Sequence, residues 1–345
     1  MIDPDSLLSP PAAYQFIDWD PAMGRRFMLF VDTEEEFDWN APFDRQATRV
    51  SATRGLADGQ AYFAAAGVRP VYLSDYPILQ SDAAVDLLRQ WLNDGAADVG
   101  AHLHPWVTPP HDELVSVPNS FAGNLPPELE RAKLFAQCAY MEERLGRRPI
   151  AYRAGRYGIG PATGRALVDA GFRLDCSVRS RFDYRAGHGP DFSGLPLRPY
   201  RTGPEQRLVE LPLSTAFIGH LRGFGDRMHG IAQRSGKLGG ALSRAGLFAR
   251  VPLTPEGIPA KECIAAIDAL IEDDVPVLSF SFHSPTLEPG NTDYVRDAAD
   301  LAVFYRWWDA VLNHLARRSI EHIGLDTFLQ AATTRVNAEP TCQAA

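Results

Sequence analysis

The residues best suited to chemistry lie in His102-Leu103-His104-Pro105-Trp106, after the short apolar run Asp98-Val99-Gly100-Ala101. Side chains alternate faces along a strand, so His102 and His104 would project the same way, about 6.6 Å apart at roughly 3.3 Å per residue. Two imidazoles so placed can share one metal ion, and they equally suit two satisfied polar residues at a strand end. Trp106 would continue that wall, and Pro105, lacking an amide hydrogen, would stop further pairing. A second cluster follows the apolar run Phe27-Met28-Leu29-Phe30-Val31, where the chain reads Asp32-Thr33-Glu34-Glu35-Glu36. Carboxylates so crowded repel one another unless a cation, a metal or solvent compensates. The chemistry suggested is metal-assisted hydrolysis. Two imidazoles and a carboxylate leave open positions on a divalent ion for water and a carbonyl, and a second carboxylate can take the water's proton. A histidine opposite can protonate the leaving group, which an amine needs. Asp32, Glu34 and His283 supply the required types.

These residues need elements to hold them at one place. Apolar runs predict strands at Phe27 to Val31, Pro70 to Leu73, Asp98 to Ala101 running on into the two histidines, Pro149 to Tyr152, Phe172 to Ser177, Leu208 to Leu213, Val277 to Phe282 and, more weakly, Ser319 to Ile323. Helical spacing predicts helices over 53–66, 83–93, 126–145, about ten residues from Ala162, and 295–315. Strand and helix alternate, which argues for βα units around a parallel sheet. Polar residues recur at the strands' C-terminal ends: Asp32 and Glu34, Asp75, His102 and His104, Arg153, Asp175, His283. In a closed parallel barrel those ends converge on one rim, where active sites sit. The domain division expected is an N-terminal extension over 1–24, a barrel over 25–330 with insertions near 179–206 and 215–251, and a flexible tail over 331–345. Trp307 and Trp308 read as helix packing. The remaining histidines, His111, His188, His220, His229, His314 and His322, read as solvent or loop residues.

Composition narrows the partners. Hydrophobic residues make up 45% of the 345 and charged residues 22%, which rules against wholesale disorder. The formal charge is −9, with no Lys/Arg block, so the electrostatic drive for binding nucleic acid is missing. Four cysteines form no Cys-x-x-Cys pair, so neither a zinc cluster nor a disulfide scaffold is suggested. No stretch approaches the ~20 apolar residues of a membrane span. The acidic, proline-broken start MIDPDSLLSPPAAY does not read as a signal peptide, and the expected location is cytoplasmic. Oligomeric state is not legible.

Taken in order, the motifs resemble the polysaccharide deacetylases, the NodB-like group also called carbohydrate esterase family 4. The resemblance is closest to an intracellular branch carrying DTEEEFDW and HLHPW. It covers roughly residues 25–325 and implies an α/β fold, a distorted (β/α) barrel of about seven strands. It also implies a hydrolase acting on non-peptide C–N bonds, removing acetyl groups from an N- or O-acetylated sugar or polysaccharide precursor with a divalent metal, often zinc. The family's TFDDG motif matches Phe30-Val31-Asp32-Thr33-Glu34, which puts the general base on Asp32. Thr33 stands where the ligand carboxylate is expected, so the resemblance carries that role to Glu34, with Asp32 and Asp75 as the other candidates. The family's histidines are four apart, whereas His102 and His104 are two apart. Tyr152-Arg153-Ala154-Gly155-Arg156-Tyr157-Gly158 resembles the RxPxG motif, with Arg153 orienting the base and Gly155 in place of proline. Leu278 to His283 matches the motif of the acid histidine. The substrate-binding residues implied are Trp106, Tyr157 and Asp175. The competing readings are a metal-free hydrolase of a non-sugar C–N bond and a silent carbohydrate-binding protein on the same barrel.

Overall fold

In the computed structural model, which describes residues 5–225, 242 and 245–333, the strands in chain order are β1 (Arg26–Thr33), β2 (Val71–Ser74), β3 (Asp98–Leu103), β4 (Ala151–Ala154), β5 (Leu174–Asp175), β6 (Tyr200–Thr202), β7 (Leu208–Glu210), β8 (Thr215–Ile218), β9 (Ala249–Pro252), β10 (Val277–His283) and β11 (Glu321–His322). The helices are α1 (Thr53–Ala65), α2 (Tyr76–Gln80), α3 (Asp82–Asn93), α4 (Pro127–Leu145), α5 (Thr163–Ala170), α6 (Ala260–Glu272), α7 (Ala298–Arg317) and α8 (Leu325–Thr333). The main sheet runs β10-β1-β2-β3-β4-β5-β7-β6, and β11 pairs with the start of β1. Every pairing in it is parallel except β6 with β7.

Alternation along each strand decides what the sheet presents to either side. Phe27, Leu29 and Val31 of β1 pack into the large core shared with the helices, as do Val99, Ala101 and Leu103 of β3, Tyr152 and Ala154 of β4, and Leu278, Phe280 and Phe282 of β10. Met28, Phe30, Leu73, Ala151, Leu174, Val209 and Val277 form a second core on the inner face, closed at the bottom by Ile17, Trp19 and Phe328. Asp32, His102, Arg153 and His283 continue the inner series at the top of their strands.

The curled sheet is a distorted (β/α) barrel whose seam lies between β7 and β10. Leu213 donates its amide to Val178 O (2.8 Å), and Ser214 then bridges to β10: the Ser279 amide donates to Ser214 Oγ (2.9 Å). The Ser281 amide reaches Leu253 O (3.2 Å), just past β9. β8 and β9 form a separate antiparallel ribbon, so part of the expected insertion over 215–251 is ordered sheet; 226–241 and 243–244 lie outside the described residues. The insertion over 179–206 supplies β6 to the main sheet's edge. The N-terminal extension packs on that edge through the Ile17 amide, which donates to Pro199 O (3.1 Å), while the fully buried Leu7 lies against Gly164 of α5. The expected tail lies beyond Thr333, outside the described residues, save its first three.

Local chemistry sets the ends of these elements. Asp75 caps α2 by accepting from the Ile78 amide (2.9 Å), with Pro77 in the first turn. Asp297 caps α7. Trp308 is fully buried against Phe63 of α1 and Phe280 and Phe282 of β10, and Trp307 packs beside it with its indole N–H donated to Ile258 O (2.8 Å), so both serve packing as expected. No described helix is long and apolar enough to cross a membrane. The described cysteines, Cys138, Cys176 and Cys263, are free and buried.

Candidate active site

The register of the sheet assembles the site. Asp32 and His283 are paired positions on β1 and β10, and His102 and Arg153 are paired positions on β3 and β4. Glu34 stands one residue past the end of β1, its amide accepted by Ser284 Oγ (3.2 Å). Thr33 does not take a ligand's place: it is buried on the other face and its hydroxyl donates to Val31 O (2.9 Å).

Glu34 Oε2 lies 3.3 Å from His102 Nε2 and 3.4 Å from His104 Nε2, and all three residues are buried. The other nitrogen of each ring is already used. His102 Nδ1 is 3.1 Å from Arg153 O, an acceptor only, so that nitrogen carries the proton. His104 Nδ1 is 2.8 Å from Glu35 Oε2. In the neutral imidazoles both Nε2 lone pairs therefore face the carboxylate oxygen. Glu34 Oε2 and His104 Nε2 are buried atoms without a hydrogen-bond partner. Three acceptors aimed at one point fit a cation, and an N2O donor set suits a divalent transition ion. Burial holds the His104 pKa below its ordinary value, which favours the neutral, ligating form. For Glu34, burial is outweighed by His283, His102 and His104, so its carboxyl stays below the usual range.

Behind the donors stands a layer that fixes their rings. Glu35 Oε1 accepts from Trp106 Nε1 (3.1 Å), the Glu35 amide donates to Asp75 Oδ2 (2.9 Å), and Trp106 stacks on His104 with centroids 4.3 Å apart. This carboxylate–imidazole pairing is the usual outer shell of a metal ligand. Burial raises Glu35 to about 7, and burial together with the Glu35 charge raises Asp75 well above its ordinary value. Asp75 also caps α2, and with Glu35 and His104 it forms a second buried group whose ligand atoms lie close enough together to hold a metal ion. Gly155 is required where it sits, since a Cβ there would meet His104 Cδ2 at 2.3 Å.

On the other side, Arg153 is completely buried, donates through Nη1 to Asp32 Oδ1 and through Nε to Cys176 O (3.0 Å), and lies over the Phe30 ring. Burial would raise the Asp32 pKa, but Arg153, His102 and His283 outweigh it and keep the carboxylate ionised. His283 Nε2 is 3.8 Å from Asp32 Oδ2, while Nδ1 is 2.7 Å from Glu256 Oε2. Glu256 also accepts from the His283 amide (3.0 Å) and from Thr286 Oγ1 (2.7 Å). Burial pulls the His283 pKa down; the Glu256, Glu34 and Asp32 charges overcome it and lift it to about 10. Its side chain remains 31% exposed, open to the cleft.

The cleft above these groups has a volume of about 870 Å³ and is bordered by Asp32, Glu34, His102, His104, Tyr157 and His283, with Trp39 and Tyr294 exposed at its rim. Two expected substrate contacts do not reach it. Trp106 is 1% exposed and spends its indole N–H on Glu35. Asp175 falls on the outer face of β5, because Leu174 and Cys176 take the inner one, and it is fully buried beside Glu210 of β7. A one-residue change of register flips a side chain to the other face, and the two-residue β5 is too short for its alternation to be read from sequence. Glu256 went unrecognised because it lies in a loop after β9, at no strand end. Of the remaining described histidines, His314 pairs with Asp268 and His322 packs under Phe27, neither near the cleft; His229 is outside the described residues.

No protein-family model and no curated protein matches the chain. Among solved structures it is similar to Puue allantoinase, with 14% identity over 95% of this chain and 96% of that one and a TM-score of 0.50. It is also similar to 4-alpha-glucanotransferase from Thermococcus litoralis, with 12% identity over 90% of this chain and 41% of that one and a TM-score of 0.51. A family 4 carbohydrate esterase from Streptomyces lividans in complex with acetate matches at 9% identity over 87% of this chain and 92% of that one, with a TM-score of 0.42. At these identities the likeness concerns the fold, a distorted (β/α) barrel.

Proposed function

We propose that the protein is a metal-dependent hydrolase that removes acetyl groups from an N- or O-acetylated sugar or polysaccharide precursor. The observation that carries this reading is the convergence of Glu34, His102 and His104 on one point, flanked by the Asp32–Arg153 pair and His283, at the floor of an open cleft. Glu34, His102 and His104 would hold a divalent ion, for which zinc suits the donor set. Such an ion, when bound, lowers the pKa of water and polarises a carbonyl.

The chain's own residues do the rest. Arg153 holds Asp32 ionised and fixed, so that its free oxygen accepts the proton of the attacking water. His283, kept protonated by Glu256, donates to the departing nitrogen or oxygen. The acid and base face each other across β1 and β10, so they flank a bond placed between them. A metal-free hydrolase would leave three buried acceptors facing one another, which speaks against that alternative.

Acetate release from N-acetylglucosamine oligomers tests the reading, with zinc supplied. The wild type is expected to release acetate, and Asp32→Asn to keep its metal while losing about 100- to 10,000-fold in kcat. No release from any acetylated sugar, or an unchanged rate in the variant, contradicts it.

A further inference from the structure

Beside His283 the cleft opens into a smaller recess of about 110 Å³, space on the order of three to four waters. Tyr157, Arg179, Glu256, His283 and Tyr294 border both spaces, so the recess communicates with the cleft at the acid histidine. Its wall combines the apolar Leu213, Pro252 and Leu253 with the hydroxyl residues Ser214, Thr254, Ser279 and Ser281. Ser279 Oγ is buried with no hydrogen-bond partner.

Arg179 is the unusual member. Its guanidinium lies over Tyr157 at 5.0 Å and Phe182 at 4.1 Å, and Nη1 donates to Tyr184 Oη (2.8 Å). Nε is buried and unpartnered, and no carboxylate lies within ion-pair distance among the described residues. Glu256 acts on it only through space, because both Glu256 oxygens are taken by His283 and Thr286. Arg250 also lies over the Phe182 ring, at 3.5 Å, so a second positive charge faces the same aromatic side chain. A guanidinium held by rings and left without an anion is prepared for one, and its fork suits an oxyacid.

We propose that the recess receives an anionic group of the substrate, a carboxylate or a phosphate, which pairs with Arg179 and reaches the Ser279 hydroxyl, so that the enzyme takes acidic rather than neutral acetylated sugars. The inference rests on the proposed hydrolase reading for its choice of substrate, but anion binding itself does not require a metal.

Calorimetric titration of the full chain, as purified and after chelation, separates the two. The probes are neutral N-acetylglucosamine, N-acetylmuramic acid for a carboxylate and N-acetylglucosamine 6-phosphate for a phosphate. At least one acidic probe is expected to bind about tenfold or more tightly than the neutral sugar, with the preference weakened by added salt. Arg179→Gln should abolish the preference, Arg179→Lys should retain part of it, and both should keep zinc at wild-type stoichiometry. Ser279→Val, which leaves Arg179 in place, should weaken the acidic probe and spare the neutral one. Equal binding of all three sugars, or a preference that survives Arg179→Gln, overturns the inference. Acetate release without acidic preference overturns it while leaving the hydrolase reading intact. Acidic preference in a protein that binds no zinc and releases no acetate supports it and removes the hydrolase reading.

Discussion

At the scale of residues, the site is two opposed assignments of charge made by neighbours. Arg153 fixes Asp32 as a carboxylate; Glu256 fixes His283 as an imidazolium. A group whose pKa is raised is charged below that pKa and loses the charge as pH climbs through it. Replacing Glu256 by Gln removes the main charge holding the His283 proton, so the alkaline fall in kcat/KM is expected at lower pH, nearer the ordinary imidazole value of about 6.5. The kcat loss should be smaller than the ~100- to 10,000-fold that follows removal of the acid itself. A pH–rate profile unchanged in Glu256→Gln would detach Glu256 from the acid. The sequence made Asp32, Glu34, His102, His104, Arg153 and His283 legible because period-two alternation and strand ends are local signals. It hid Glu256 and Arg179, which enter through loops whose path depends on the whole fold.

Among elements, the decisive one is the loop that follows β3. It turns at Pro105 and carries His104 and Trp106, and a buried lysine on α4 holds it. Lys133 Nζ donates to Pro105 O (2.9 Å), Thr108 O (2.7 Å) and Pro110 O (2.7 Å), and pairs with Glu113 Oε2 at 2.9 Å. Lys133→Met leaves three carbonyls without their donor and Glu113 with Arg45 as its remaining cation, and is expected to cost about 3–5 kcal/mol in denaturant unfolding. Zinc affinity should fall as well, since the outer shell of His104 moves with the loop. A loss below about 1 kcal/mol would show that water replaces the ammonium. The long strands β1, β3 and β10 and helices α1, α3, α4 and α7 were readable from apolar runs and helical spacing. The short β6, α2 and α8 were not, because too few residues carry their period or because they fell inside a stretch read as an excursion; α6, 13 residues long, was missed although Cys263, Ala266, Ile267 and Leu270 stand at helical spacing.

For the whole molecule, the barrel order follows from βα alternation, whereas its seam does not: Ser214 joining Ser279 is a contact 65 residues apart with no sequence signature. The face of β5 had the same cause. There Asp175 and Glu210 lie side by side, fully buried, with Glu210 raised well above its ordinary value and Asp175 also raised, first by burial. Unfolded carboxyls ionise near pH 4 while this pair keeps a proton in the fold, so the unfolded state binds fewer protons and stability falls as pH rises from there. Glu210→Gln should flatten the decline of Tm as pH rises above about 4, where the unfolded carboxyls ionise. An identical slope in wild type and variant would assign the decline to other groups.

The central claim is that Glu34, His102 and His104 form a metal centre. It is tested most directly by elemental mass spectrometry of the protein purified without chelator, beside the double variant His102→Ala/His104→Ala. Close to one zinc or other divalent ion per chain in the wild type, lost in the variant, is the expected result. Absence of metal from the wild type after divalent ions are added back, or equal metal in both proteins, would contradict it.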